Sequence, residues 1–187
     1  MKLEDAILLA VTWQSRLLPY CERVGIAGSV RRMKPEVHDI EIVVAPLIVE
    51  TVDLFGSRVV EMDMLEQVIE ARLQAGDFTL KKNGPRFKQL ELPEGITVDL
   101  FIVRPSAQWG VIFALRTGPA DYSHWLVTHK SYGGALPGYL KMKGGALWYG
   151  DELIKTPEEE DFFQAIGVEM VRPEERKARW NHRDTEK

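Results

Sequence analysis

Asp39 and Glu41 are acids two positions apart, set among the apolar residues Ile40, Ile42, Val43 and Val44. In an extended chain alternate side chains share a face, so both carboxylates point one way while Ile40, Ile42 and Val44 point the other. Like charges held side by side on a half-buried surface repel, and a cation between them relieves that cost. Asp99 interrupts a second apolar run, Ile96-Thr97-Val98-Asp99-Leu100-Phe101, where an unpaired acid is expensive. Placed on a neighbouring strand, it completes a cluster of three carboxylates. Hard oxygen ligands of this kind suit magnesium, which keeps several waters and usually takes one or two carboxylates plus substrate phosphates. Three acids support two ions about 3.5–4 Å apart, an arrangement used for in-line displacement at phosphorus. The acids alone leave another reading open: Asp39 capping a turn, Glu41 paired with Arg32, and Asp99 paired with a lysine.

The segment before the acids adds to them. Gly28-Ser29-Val30-Arg31-Arg32 follows an apolar stretch and precedes Asp39 closely. Glycine lets a backbone approach phosphate, serine offers a hydroxyl, and exposed amides add donors. An arginine fork clamps phosphate oxygens in a bidentate manner. A Gly-Ser turn by itself is a weak signal. Followed by two arginines, Asp-x-Glu on a strand and a later Asp on another strand, it becomes a strong one.

The elements that must position these groups follow from periodicity. Leu3, Ile7, Ala10, Gln14 and Leu17 lie at helical spacing, and Pro19 ends that helix. Strands are expected over 24–27, 40–45 and 96–103, with a helix carrying Met62, Leu65, Ile69 and Leu73 and stopping at Gly76. Asn83-Gly84 joins the halves of a hairpin spanning 78–92. After Pro105 the texture changes. Ser106 is positioned to cap a helix to about Arg116, Thr117-Gly118-Pro119 breaks it, and a further helix covers 122–129. Glycine pairs at 133–134 and 144–145 punctuate a small sheet with strands over 139–143 and 146–149. Thr156-Pro157-Glu158-Glu159 reads as a capping box with proline at the first helical position, opening a helix that buries Phe162, Phe163 and Ile166 and stops at Gly167. The expected organisation is α+β: a domain over 1–104 with a mixed sheet and helices on one side, then a small helix-plus-sheet domain over 105–187.

Composition bounds the class. The 187 residues are 45% hydrophobic and 28% charged, ordinary values for a folded chain. No apolar stretch is long enough to span a bilayer, and the acids at Glu4 and Asp5 are wrong for a secretory signal. The single cysteine, Cys21, forms no internal disulfide and is expected to be buried, so a reducing cytoplasm is the default compartment. The net charge of −4 argues against a protein that lives by non-specific DNA binding. Local basic clusters remain, at 31–34, 81–88, 141–143 and 172–183, and any of them is able to face a phosphate backbone. Trp13, Trp109 and Trp148 are read as core, His38 as a neighbour of the acids rather than a ligand, and His124, His129 and His182 as lacking metal-ligand companions.

Taken together, these motifs resemble the catalytic portion of family X (polymerase-beta-like) DNA polymerases, within the nucleotidyltransferase superfamily. VGIAGSVRRMKPEVHDIEIVV resembles the family's Gly-Ser and paired-acid segment, and ITVDLFIV its third-acid strand. WGVIFALRTGPADYSHWLV resembles the helix ending in Thr-Gly beside the nucleotide, and EEEDFFQAIGVEMVRPEER the C-terminal element that closes the thumb. The resemblance implies a nucleotidyltransferase palm followed by a thumb. It makes Asp39, Glu41 and Asp99 the catalytic metal ligands, for two magnesium ions that manganese is able to replace. It places Gly28, Ser29 and Arg32 at a nucleoside triphosphate and Thr117-Gly118 beside the sugar and base. The implied reaction is attack of a primer 3′-hydroxyl on the α-phosphorus of a deoxynucleoside triphosphate, on primer-template or gapped DNA, in repair. Glu41 replaces the usual aspartate, Leu115-Arg116 replace an aromatic pair, and Ser123 replaces an asparagine. The chain begins at the palm's first helix, which implies the minimal palm-plus-thumb form, no lyase activity, weaker DNA affinity and a role for an accessory DNA-binding protein. No membrane partner is expected. Two other readings remain: transfer to an RNA, protein or small-molecule acceptor, and an inactive nucleic-acid-binding module.

Overall fold

A computed structural model describes residues 1–52 and 59–180; Arg183 and His182 lie outside the described residues. The chain divides into two compact units, 1–26 with 36–102, and 27–35 with 103–187. The segment that carries Gly28 to Arg32 therefore groups with the second unit, although it stands within the first by position.

The first unit opens with α1 (Leu3–Leu17), which buries Ala6, Ala10, Trp13 and Leu17, the stripe the helical spacing anticipates. Leu18-Pro19-Tyr20 tighten into a 3₁₀ turn, because proline cannot continue the α-helical ladder. Then come β1 (Cys21–Ile26), a one-turn helix α2 (Gly28–Arg31) of the second unit, and β2 (Asp39–Pro46). A two-stranded ribbon follows, β3 (Ile48–Val52) with β4 (Val59–Asp63), leading into α3 (Met64–Gln74). β5 (Thr79–Asn83), β6 (Phe87–Glu91) and β7 (Thr97–Ile102) complete the unit. The main sheet has the order β1-β2-β7-β6-β5. Only β2 and β7 are parallel; β1 on β2, β6 on β7 and β5 on β6 are antiparallel. Ile40, Ile42 and Val44 of β2 are fully buried, as are Val98 and Leu100 of β7. This is the apolar side of the alternation that aims the acids the other way.

The second unit adds α4 (Trp109–Thr117), α5 (Ala120–Val127), β8 (Leu140–Lys143), β9 (Ala146–Tyr149), β10 (Glu152–Ile154) and α6 (Glu159–Ile166). The three strands form an antiparallel sheet ordered β10-β9-β8. Its core gathers Val111 and Ala114 of α4, Tyr122 and Leu126 of α5, Leu140 and Leu147 of the sheet, and Phe162, Phe163 and Ile166 of α6.

Several local expectations move. α4 starts at Trp109, and its N-cap is Gln108 without a side-chain cap; Ser106 does not cap it. The Gln108 amide donates to Gly145 O and the Gly110 amide to Thr156 O, so tertiary partners satisfy amides that a capping hydroxyl would otherwise serve. The capping box also shifts: Glu158 caps α6, Asp161 returns the bond, and Pro157 lies outside the helix. Thr156 is held at the start of α4 instead. A Cβ on Gly110 would lie 2.0 Å from Glu158 O, which is why this close approach needs glycine. The β3–β4 ribbon and β10 are strands the periodicity did not indicate, since each is a short run mixing acids with apolar residues. Trp13 and Trp109 are buried, whereas Trp148 is only half-buried. Among the described residues no helix is long and apolar enough to cross a membrane.

Candidate active site

Strand register places the acids on one face of the sheet. On the parallel pair β2–β7, Asp39 stands opposite Thr97 and Glu41 opposite Asp99. Register partners on adjacent strands project from the same face, and Asp39 shares it with Glu41 by the two-residue period. Asp99 is 9% exposed, while Asp39 and Glu41 are half-buried. Gln89, the register partner of Asp99 on β6, donates from Nε2 to Asp99 Oδ1 at 2.9 Å. That hydrogen bond orients the Asp99 carboxylate within the strand.

Among the described residues no three His, Cys, Asp or Glu side chains form a group able to hold a metal unaided. Glu41 and Asp99 are adjacent, with Asp39 one step further along the strand. That donor set fits magnesium, which is normally held by one or two carboxylates with substrate phosphates and water completing its shell, not by an all-protein cage.

The residues expected at the triphosphate and sugar, Gly28, Ser29, Arg32, Thr117 and Gly118, all belong to the second unit. Gly28 opens α2 with φ +60°, a conformation that glycine adopts without a Cβ penalty. Ser29 Oγ is buried and, among the described residues, has no hydrogen-bond partner. A buried hydroxyl without a partner costs roughly 1–3 kcal/mol, and an acceptor oxygen supplied by a ligand would satisfy it.

Arg32 Nη1 donates to Thr117 O at 2.8 Å and to Gly118 O at 3.2 Å. Two predicted segments 85 residues apart are thereby joined through a guanidinium and the carbonyls that end α4. Gly118 caps that helix, and a Cβ there would lie 2.6 Å from the Tyr122 ring.

Sequence reasoning missed Arg31, Glu159 and Arg176. Arg31 donates to Thr117 Oγ1 at 2.5 Å and forks onto Glu159, at 3.1 Å to Oε1 and 2.8 Å to Oε2. Its guanidinium also stacks on the Phe113 ring, 4.0 Å from the centroid. Arg176 donates to Glu159 Oε1 at 2.8 Å, with the glutamate 4% and the arginine 2% exposed. Burial pushes the Glu159 carboxyl up, but hydrogen bonds and charge from Arg176 and Arg31 outweigh it and hold the group below the ordinary carboxylate value. A signal was available: Glu159 shares the helical face of Phe162, Phe163 and Ile166, where an acid implies a buried partner.

No protein-family model matches the sequence, and no curated protein matches it. Among solved structures, the crystal structure of Leishmania infantum polymerase beta, described as a ternary P/T complex, is similar over 95% of this chain and 76% of that one. The TM-score is 0.65 at 14% identity. The fold is polymerase-beta-like. In this polymerase-beta-like fold the mixed sheet that carries Asp39, Glu41 and Asp99 is flanked by helices, as the resemblance implies. At 14% identity the likeness extends to the fold and no further.

Proposed function

We propose that this chain is a nucleotidyltransferase that adds a nucleotide from a (deoxy)nucleoside triphosphate to a 3′-hydroxyl, with primer-template or gapped DNA as the acceptor and repair synthesis as the setting. The observation that carries the reading is the register of Glu41 beside Asp99 with Asp39 on the same face. Acids so placed repel one another, and a cation between them relieves that cost. The similar solved structure, a polymerase beta, supports the same reading.

Asp39, Glu41 and Asp99 would hold two magnesium ions, or manganese in their place. When bound, such ions lower the pKa of an attacking hydroxyl and neutralise charge on the triphosphate and departing pyrophosphate. Gln89 fixes the direction of the Asp99 carboxylate. Ser29 offers its unsatisfied hydroxyl to a phosphate oxygen, and Gly28 keeps side-chain bulk away from it. Arg32 holds the Thr117-Gly118 turn expected beside the sugar and base. The 3′-oxygen bonds to the α-phosphorus as the bond to pyrophosphate breaks. Most of the rate then comes from positioning and charge complementarity rather than from covalent chemistry by the protein.

Primer extension tests this, comparing a one-nucleotide gapped duplex, a blunt duplex and a single strand, each with deoxy and ribo triphosphates and magnesium. Extension confined to templated substrates and lost in Asp99→Asn is the expected result. Magnesium-dependent triphosphate binding without extension would assign a non-DNA acceptor. Absence of triphosphate binding would leave an inactive module.

A further inference from the structure

The second unit carries a cavity about 510 Å³ in volume. Its apolar lining includes Leu136 and Met142, Trp148 forms part of the wall, and Lys141, Lys143 and Asp151 line it too. Lys141 and Trp148 are register partners on β8 and β9, so ammonium and indole lie side by side on one sheet face. Lys143 shares that face by the two-residue period. Both lysines are exposed, and Trp148 is half-buried. The indole Nε1 donates to Lys143 O at 3.1 Å, which fixes the ring by its polar edge without using its π-face.

An aromatic ring beside two exposed lysines has a specific chemical complement. A nucleobase stacks on the ring and the phosphates on either side of it meet the ammonium groups; this pairing of stacking platform and cationic track is how single strands are bound without sequence preference. Double-stranded DNA presents its phosphates but hides its base faces, so it satisfies only the lysines. Asp151, the acid among the lining residues, repels phosphate and so sets which part of the cavity the backbone follows. A purely structural Trp148 would need neither the lysine opposite it nor a cavity beside it.

We infer that this face of the β8–β9–β10 sheet is a binding site for single-stranded nucleic acid, seating one base on Trp148 and flanking phosphates on Lys141 and Lys143. The site lies wholly within the second unit and shares with the proposed function only the expectation of a nucleic-acid partner.

The test is fluorescence anisotropy of the full chain with a labelled oligothymidylate about 12 nucleotides long, within the ~4–16 nucleotides that one such platform engages. Affinity is followed from about 50 to about 200 mM salt. Lys141→Ala with Lys143→Ala should weaken binding and flatten the log-log salt dependence by about 1.4, two single-strand phosphate contacts at ~0.7 each. Trp148→Ala should weaken it about 5- to 150-fold with the salt slope unchanged, and Trp148→Phe should restore most of the loss. The assay contains neither triphosphate nor magnesium, so its outcome does not depend on the transfer reaction. The exposed lysines make the double variant a safe companion should Trp148→Ala destabilise the unit. Parental affinity in the lysine and tryptophan variants alike would overturn the assignment. So would equal loss in Tyr149→Ala, whose side chain projects from the opposite sheet face, or a duplex of the same length bound as tightly as the single strand.

Discussion

Glu41 and Asp99 are register partners on adjacent parallel strands, carboxylate beside carboxylate on one face of the sheet. Directly opposed like charges destabilise a sheet by roughly 0.2–1 kcal/mol. Asp99→Asn should therefore leave stability unchanged or raise it by about that amount, while nucleotide transfer falls on the order of 10²–10³-fold or more. Thermal melting with and without magnesium checks both halves. The parent should gain melting temperature on adding magnesium, and the variant should gain little. A destabilised variant of an inactive parent would instead make Asp99 a structural residue.

Glu159 stands between two arginines in a buried position. Removing one partner of a buried ionic cluster costs about 3–5 kcal/mol, because the remaining charges stay desolvated. Glu159→Ala should lower the stability of the second unit by that amount in urea unfolding followed by tryptophan fluorescence. A loss below about 1 kcal/mol, the range of surface pairs, would show that the cluster is solvated in solution.

The same group makes acid stability predictable in sign. The folded-state pKa of Glu159 lies below its ordinary value of 4.5. Its contribution is complete above that value and is lost as pH falls through the lower folded pKa. Unfolding free energy should thus decline on acidification below about pH 4.5, and Glu159→Gln should show a shallower decline over the same window. Parallel curves for the two proteins would contradict the assignment.

Cys21 is buried at the start of β1, and burial, aided by the nearby charge of Asp63, pushes its thiol up to about 12 from an ordinary 9.0. At pH 8 almost no thiolate is present, so alkylation should be far slower than that of an unstructured cysteine. Full reactivity should return in denaturant. Rapid modification of the native protein would mean that the end of α1 opens readily.

Gly110 leaves no room for a side chain, with Glu158 O 2.0 Å and Thr156 O 2.7 Å from a Cβ built there. Both neighbours are backbone and cannot swing away. Gly110→Ala should cost about 1–3 kcal/mol or more despite alanine's better helix propensity. A neutral or stabilising result in thermal melting would show that α4 and the 156–158 segment separate easily.

Local order set much of this protein. Alternation around Asp39 and Glu41 placed both acids on one face before any strand was paired, because the two-residue period belongs to the extended backbone itself. Helical spacing did the same for α1 and α6, and Gly167 marked the end of α6 through its left-handed φ of +68°. What a linear reading did not supply is pairing across distance. That Asp99 stands beside Glu41, and not one residue away on the other face, depends on a parallel register closed across more than fifty intervening residues. Helix starts moved for a related reason: the amides of Gln108 and Gly110 found tertiary acceptors, so a capping serine was not needed. The union of Arg31, Glu159 and Arg176 is likewise a tertiary fact. Charge at those positions is visible in the chain, but which charges share a dry site is decided only when packing excludes water and leaves them no other partner.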